Sequence, residues 1–324
     1  MVRRDFLIMA AAGLASWRRR DSGQAVKEAA GRSQVVLVKT NDRKRGVRAA
    51  LNELSFTLPK GKPVLIKPNF NSADPSPGST HNDILIQLIE ELRSRGAAAV
   101  TVGERSGPPD SRLVMEEKGI FDLARDLKFS LLNYEDLKED GWVKLTPEGS
   151  HWEDGFAMPK PVLQAEYIAA ACCLKTHQYG GVFSMALKLA VGLTPKGLMG
   201  RFHTSPHMRK MIAELNLAYR PQLIVMDGVE AFVDGGPMTG KRAQADVVLA
   251  GTCRVAMDAV GLAILKELGS NEAIMSRKIF EQEQIQRAIE LGLGVTGPEQ
   301  IKLIGPDRAS RVYADKINAI LAQG

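Results

Sequence analysis

Four apolar runs in the sequence end in residues able to do chemistry. Val64-Leu65-Ile66 runs into Lys67-Pro68-Asn69, and Val100-Thr101-Val102 into Gly103-Glu104. Ala169 to Leu174 runs into Lys175-Thr176-His177, and Leu223 to Met226 into Asp227-Gly228 with Glu230 beyond. Short apolar runs rich in β-branched residues read as buried strands. In an open parallel sheet, ligands settle outside the carboxyl ends of the strands. If the four strands are neighbours, Lys67, Glu104, Lys175, His177 and Asp227 converge on one cleft. Any single charged strand end is more often just where the chain meets water. Four in one chain, with two lysines and a histidine among them, favour a shared site.

The residue types point to an anionic ligand and to proton transfer. Lys67 and Lys175, with Asn69 and Glu104 at the same edge, would bind a carboxylate or a phosphate. His177 titrates near neutrality and is the residue type most used for proton transfer. Gly180-Gly181 beyond it would let backbone approach a ligand closely. His81 follows Thr80, which with Asp83 reads as a capping box for a helix over Ile84–Arg93. A helix start attracts anions, and ordinary polarity at an exposed helix start accounts for His81 equally well. Lys188 stands alone among small and apolar residues from Ser184 to Gly192, read as a helix; it either snorkels to the surface or points into a site. Asp227, Glu230 and Asp258 would orient the histidines or hold a divalent metal ion.

Other matches fail in context. Gly292 to Gly297 satisfies G-x-G-x-x-G, but a helix precedes it and Pro298 follows, the reverse of what a dinucleotide fingerprint needs. Gly235 to Lys241 resembles a P-loop, but Arg242 replaces the Ser or Thr for Mg²⁺, and the segment reads as a turn. His203 and His207 flank Pro206, so a shared helical face for a metal is not expected. His151 has no nameable partner. The three cysteines, Cys172, Cys173 and Cys253, form no C-x-x-C, so no iron–sulfur cluster is expected.

The elements that must position these residues alternate along the chain. Strands are expected at Val35–Lys39, Val64–Lys67, Ala97–Gly103, Tyr167–Leu174, Leu223–Met226, Val247–Ala250 and Ile301–Ile304. Helices are expected at Val47–Phe56, Ile84–Arg93, in two short pieces between Ser111 and Asp126, and at Phe183–Gly192. Further helices are expected from Ser205-Pro206 to Tyr219, at Val255–Leu268, at Phe280–Leu291 and at the terminus; residues 133–161 read as irregular. This is the α/β class: an open, mostly parallel sheet with helices on both faces, for which two lobes around a cleft are one arrangement.

Composition places bounds on this reading. The chain has 324 residues, 44% hydrophobic and 25% charged, which excludes disordered and collagen-like classes. The formal charge of +6 is partly local, since residues 1–25 hold five Arg against two Asp, leaving 38 basic and 35 acidic residues in the body. No basic block interleaved with aromatics occurs, so nucleic acid is not an expected partner. Arg3-Arg4-Asp5-Phe6-Leu7, an apolar stretch ending near Ser16, and Trp17-Arg18-Arg19-Arg20 have the parts of a twin-arginine export signal. The apolar stretch is shorter than the ~20 residues of a membrane span. The expected organisation is a signal and linker over 1–32 and an α/β domain over 33–324. The protein would then be exported and periplasmic, a partner of the twin-arginine machinery, with no stable membrane span after processing.

Taken in order, the pieces resemble the family catalogued as domain of unknown function 362. They are Val64 to Phe70, Thr80-His81, Gly103-Glu104-Arg105-Ser106-Gly107, Leu174 to His177, Ala186-Leu187-Lys188-Leu189, Asp227 to Glu230, Gly236-Pro237 and Val255 to Asp258. The resemblance covers roughly residues 35–270 and implies an α/β domain without a settled activity. Family members are sometimes fused to iron–sulfur modules, whose cysteines this chain lacks. Gly251-Thr252-Cys253 departs from the family, which more often has Asp after Gly-Thr. The progression His177, Gly180-Gly181, Lys188, Gly192 is similar to that of the lactate racemases, which implies kinship of fold. Two functions follow. One is an exported enzyme acting on a small anionic substrate by Lys/His acid–base or metal-assisted chemistry, with His177, His81 and Lys188 catalytic. The other is a non-catalytic binder of a metal or small ligand. Replacing Arg3 and Arg4 by Lys should trap the protein in the cytoplasm, as read by fractionation; unimpaired export of that variant would remove the twin-arginine reading.

Overall fold

Runs of Val, Ile, Leu and Ala form one nine-stranded sheet, built around strands that the hydrophobic pattern marks. The computed structural model describes residues 32–58 and 60–323. The leader expected over 1–32 therefore lies outside the described residues, apart from Arg32. In chain order the strands are β1 (Ser33–Lys39), β2 (Pro63–Lys67), β3 (Ala99–Glu104), β4 (Ser130–Asn133), β5 (Trp142–Leu145) and β6 (Phe156–Pro159). There follow β7 (Ile168–His177), β8 (Val182–Phe183), β9 (Leu223–Gly235), β10 (Gly240–Gly251) and β11 (Ile301–Ile304). The order across the sheet is β11-β1-β10-β9-β7-β2-β3-β4, with β8 folded back on β7, while β5 and β6 pair separately. Along that path only β10 runs against its neighbours, antiparallel to both β1 and β9. The sheet is thus mostly parallel, and the α/β reading holds.

Helices cover both faces. Helices Arg43–Glu53 and Asn82–Ser94 pack on one side, where Val47, Ala50, Ile84 and Leu88 join Val36, Val38, Ala169 and Val248 in the core. Helix Arg254–Glu267 covers the other side: Met257 sits against Gly251 of β10, and Gly261 lies close to Leu174 of β7. Helix Arg308–Leu321 packs beside it. The described residues from Ser33 onward form one compact unit.

The strands that matter most are longer than their apolar runs. Lys67 stands beside Ala170, so the residues from Ala171 to His177 carry β7 past the end of β2. The residues between the expected strands Leu223–Met226 and Val247–Ala250 belong instead to one long β9–β10 hairpin. There Val229, Ala231, Phe232 and Val233 are buried, Glu230 is half-buried and Asp234 is exposed. Asp227 therefore lies in mid-strand, opposite Val248, and not at a strand end.

Local chemistry moves several other boundaries. Residues 133–161 are not wholly irregular, since they hold the β5–β6 pair. The segment Phe183–Gly192 is not an α-helix: β8 takes Phe183, and only a 3₁₀ turn over Lys188–Leu193 follows. Side chains from elsewhere claim its backbone groups, as described below. Thr80 does not cap helix Asn82–Ser94; His81 does, its Nδ1 accepting from Asp83 N at 3.1 Å. Thr80 instead donates to Ala171 O of β7 at 2.8 Å. Ser205-Pro206 separates two helices, Met199–Thr204 and Met208–Leu215, with Ser205 Oγ accepting from His207 N. His203 is thus inside the first of these, not ahead of a single long one.

The hairpin tip is built against β7. Gly236 has φ +75°, and a Cβ there would lie 2.2 Å from Thr176 O. Gly236→Ala should cost at least about 2 kcal/mol or prevent folding, because it adds left-handed strain to a clash with backbone. Urea denaturation checks this, and a midpoint unchanged from the parent protein would refute it.

Candidate functional site

The carboxyl ends of β7, β2 and β3 are adjacent in the sheet and open into one cavity of about 340 Å³. Its walls bring together Lys67, Asn69, Glu104, Lys175, His177 and Lys188, six residues singled out by sequence. They also include Asn71, Arg105 and His203, which sequence reasoning did not select as site residues.

The floor is a buried ion pair. Lys67 Nζ donates to Glu104 Oε1 at 2.5 Å and to Pro68 O at 2.7 Å. Glu104 Oε1 also accepts from Arg105 N at 2.8 Å, and Oε2 accepts from Phe70 N at 2.7 Å. Burial pulls the Lys67 pKa below that of a free lysine, with Glu104 opposing the shift. Gly192 lies directly on the pair, since a Cβ there would stand 2.9 Å from Lys67 Nζ and 3.0 Å from Glu104 Oε1.

Lys188 is held in place from both ends of its turn. Before it, both carboxylate oxygens of Asp258 accept, from Ala186 N at 2.7 Å and from Leu187 N at 3.0 Å. After it, the buried Arg105 donates from Nη2 to Val191 O at 2.6 Å and from Nε to Thr194 O at 2.8 Å. These bonds satisfy backbone groups at both ends of the turn, so that it is fixed by side chains from elsewhere in the chain. Lys188 itself is 9% exposed, with Nζ over the Phe202 ring at 5.9 Å. Among the described residues it has no hydrogen-bond acceptor and no carboxylate partner. Burial, with Lys175 and Arg105 adding, brings its pKa down to about 7.

Lys175 is fully buried and donates to Gly78 O at 2.6 Å and Pro237 O at 2.9 Å. Burial lowers its pKa to about 8. His177 is 4% exposed, and its Nδ1 has no partner. Burial, then Lys188 and Lys175, hold its pKa well below the usual imidazole value, so the ring is neutral at neutral pH. Asn71 Nδ2 is a second buried group in the cavity wall without a partner. His203 faces the same space, its pKa lowered by burial and then by Lys188 and Arg105.

The remaining candidates lie elsewhere. Asp227 is closed off from the cavity by Arg43 Nε at 2.8 Å and Ser76 Oγ at 2.9 Å. Glu230 faces out from β9 and meets Arg242 at 3.5 Å and Gln244 Nε2 at 3.2 Å. Asp258 spends its oxygens on the turn before Lys188. Asp227, Glu230 and Asp258 are therefore not one ligand set, and no group of three His, Cys, Asp or Glu among the described residues is arranged to hold a metal ion. His81 caps its helix outside the cavity wall. His151, partnerless in the sequence, meets the buried Glu214 at 2.6 Å, away from the cavity.

Among solved structures, the lactate racemase apoprotein from Thermoanaerobacterium thermosaccharolyticum is similar at 16% identity and a TM-score of 0.43, over 61% of this chain and 50% of that one. A Thermotoga maritima protein from a structural genomics programme is similar at 14% identity and a TM-score of 0.43, over 70% of this chain and 57% of that one. The chain thus spans only half to three-fifths of the length of those two proteins. No curated protein matches the chain. The sequence model of the domain of unknown function 362 matches residues 64–263, from the start of β2 to the last turn of the helix that carries Asp258. That segment contains every residue of the floor and of the Lys188 turn, and the chain belongs to the domain of unknown function 362 family.

Proposed function

We propose that this protein is an exported, periplasmic enzyme that acts on a small anionic substrate by proton transfer between His177, Lys188 and the ligand. The observation that carries this reading is the pairing pattern in the cavity wall. Lys67 is matched by Glu104, and Lys196 pairs with Glu135. Lys175 and Arg105 give their hydrogen bonds to backbone carbonyls, so their positive charges have no carboxylate partner. An uncompensated positive wall favours an anion. Of the buried polar atoms without partners among the described residues, His177 Nδ1 and Asn71 Nδ2 belong to residues that line the cavity, where a ligand would supply the missing partner.

His177 enters as a neutral imidazole, able to accept a proton at Nδ1. Lys188, with a pKa of about 7, is divided between amine and ammonium at neutral pH and serves as the second proton-transfer group. Lys67 and Lys175 each donate two hydrogen bonds and Glu104 accepts three, and their part is to frame the site and set its field. Asn69 and Asn71 would hold the anion. Asp258 and Arg105 are positioning residues that act through the Lys188 turn.

Calorimetric titration of the protein with small carboxylates and phosphate esters tests the reading. At least one should bind stoichiometrically, and His177→Ala should weaken binding or turnover at least tenfold while Tm stays within about 3 °C. A panel in which nothing binds, or a variant that binds like the parent, overturns it. Binding without turnover of the bound compound would favour the non-catalytic alternative.

The lysines make a separate prediction. Lys188 and Lys175 have folded-state pKa values of about 7 and about 8, against 10.5 for a free lysine. Between those values and 10.5 the unfolded chain binds more protons, so stability should rise as pH climbs through that window. Lys188→Met replaces the buried amine with an apolar chain of similar length. It should raise stability at pH 7 by about 1–3 kcal/mol and flatten the rise toward pH 10. Denaturation across that pH range reads both effects, and a variant with the parent's slope would contradict the assignment.

A further inference from the structure

We propose that Lys188 is a nucleophilic amine that condenses with the carbonyl group of a small oxo acid, forming an imine in the cavity. The inference deepens the proposed anion site and rests on it. Four lysines line the cavity, and three are tethered. Lys67 bonds Glu104 and Pro68 O, Lys175 bonds two carbonyls, and Lys196 bonds Glu135 and Pro109 O. Lys188 alone of the four has no acceptor among the described residues. An ammonium buried without acceptors is costly, whereas a neutral amine is not. The lowered pKa agrees with that geometry. A desolvated lysine beside other cations is the kind that keeps a free lone pair for attack on carbon.

The surroundings supply the rest of the chemistry. A Cβ on Gly181 would stand 2.9 Å from Lys188 Cε and 2.9 Å from His177 Nδ1, so both side chains reach the space in front of that glycine. The other charged or titratable groups acting on Lys188 are Lys175 from β7, Arg105 beyond β3 and His203 from the Met199–Thr204 helix. None is a carboxylate that would hold the amine as an ammonium. Asn71 Nδ2 offers a free donor for the carboxylate of an oxo acid, and the unmatched charges of Lys175 and Arg105 favour it.

The step balances without a co-reactant. The Nζ lone pair forms a bond to the carbonyl carbon, and the C=O π pair moves to oxygen. His177 Nδ1 takes one N–H proton and returns it to that oxygen, giving a carbinolamine. The second N–H proton leaves with the hydroxyl as water, and the C=N bond closes. Nothing is oxidised or reduced, and the products are an imine and one water.

Incubating the whole protein with glyoxylate or pyruvate and reducing with cyanoborohydride tests the proposal. Peptide mass spectrometry should find one main adduct, the mass of the acid less one oxygen, on the peptide bearing Lys188. Labelling there should exceed that at any other lysine at least tenfold. Lys188→Arg should abolish it, and His177→Gln should slow it at least tenfold without moving it. Labelling spread over exposed lysines, or none at Lys188, overturns the proposal. The parent protein's labelling map decides this even if a variant fails to fold. Acetate and propionate, which lack the carbonyl, are titrated in parallel. If they bind while Lys188 stays unlabelled, the anion site stands and the imine falls; if neither they nor the oxo acids bind, both fall.

Discussion

A lysine and a glutamate, both buried, close the carboxyl ends of two neighbouring parallel strands, and the site is built outward from that contact. Glu104 gathers the Lys67 ammonium and the backbone N–H groups of Phe70 and Arg105, the residues that lead into the loops after β2 and β3. Taking such a pair out of water is costly, and its net gift to stability is small. What it supplies is position. Each loop starts from a fixed point, and Gly192 brings the Lys188 turn down onto the same pair with no side chain between. Losing one partner would strand the other charge, at a cost of about 3–5 kcal/mol.

The Lys188 turn is fixed at both ends by tertiary contacts. Ser184 to Gly192 has the composition of a short helix, but Asp258 and Arg105 take its backbone groups from opposite ends. Asp258 does so from the interior of the sheet-covering helix, and burial raises its pKa to about 7. Two ionisable side chains are thereby committed to placing one lysine. That arrangement explains how an amine stays beside the cavity although no described residue accepts a hydrogen bond from it.

The cavity separates charges by their partners. Lys67 and Lys196 face carboxylates and are electrically balanced, while Lys175 and Arg105 are satisfied in hydrogen bonds but not in charge. Burial first, and this positive field after it, hold the His177 pKa well below its usual value and bring that of Lys188 down to about 7. A site of this kind attracts an anion while keeping two nitrogen lone pairs available. The same field would be lost if Lys175 faced a carboxylate instead of Gly78 O and Pro237 O.

Much of the architecture is written locally. Alternation and apolar runs marked β1, β2, β3, β11 and the long helices, because a strand buried on both faces needs a continuous run of apolar side chains. The same runs pointed to Lys67, Glu104, Lys175 and His177, since polar residues that end a buried strand must emerge at one rim of a parallel sheet. Which rim residues actually meet was a question of strand order, and only the fold answers it. β7, β2 and β3 are neighbours, so their ends share a cavity. Asp227, which looked equivalent, is in mid-strand because antiparallel pairing with β10 carries β9 on to Gly235. Asp258 and Arg105 were in view as letters of a motif, but their work depends on backbone groups more than seventy positions away in the chain. No local pattern encodes such a distance; packing of the helix and loops around the sheet decides it.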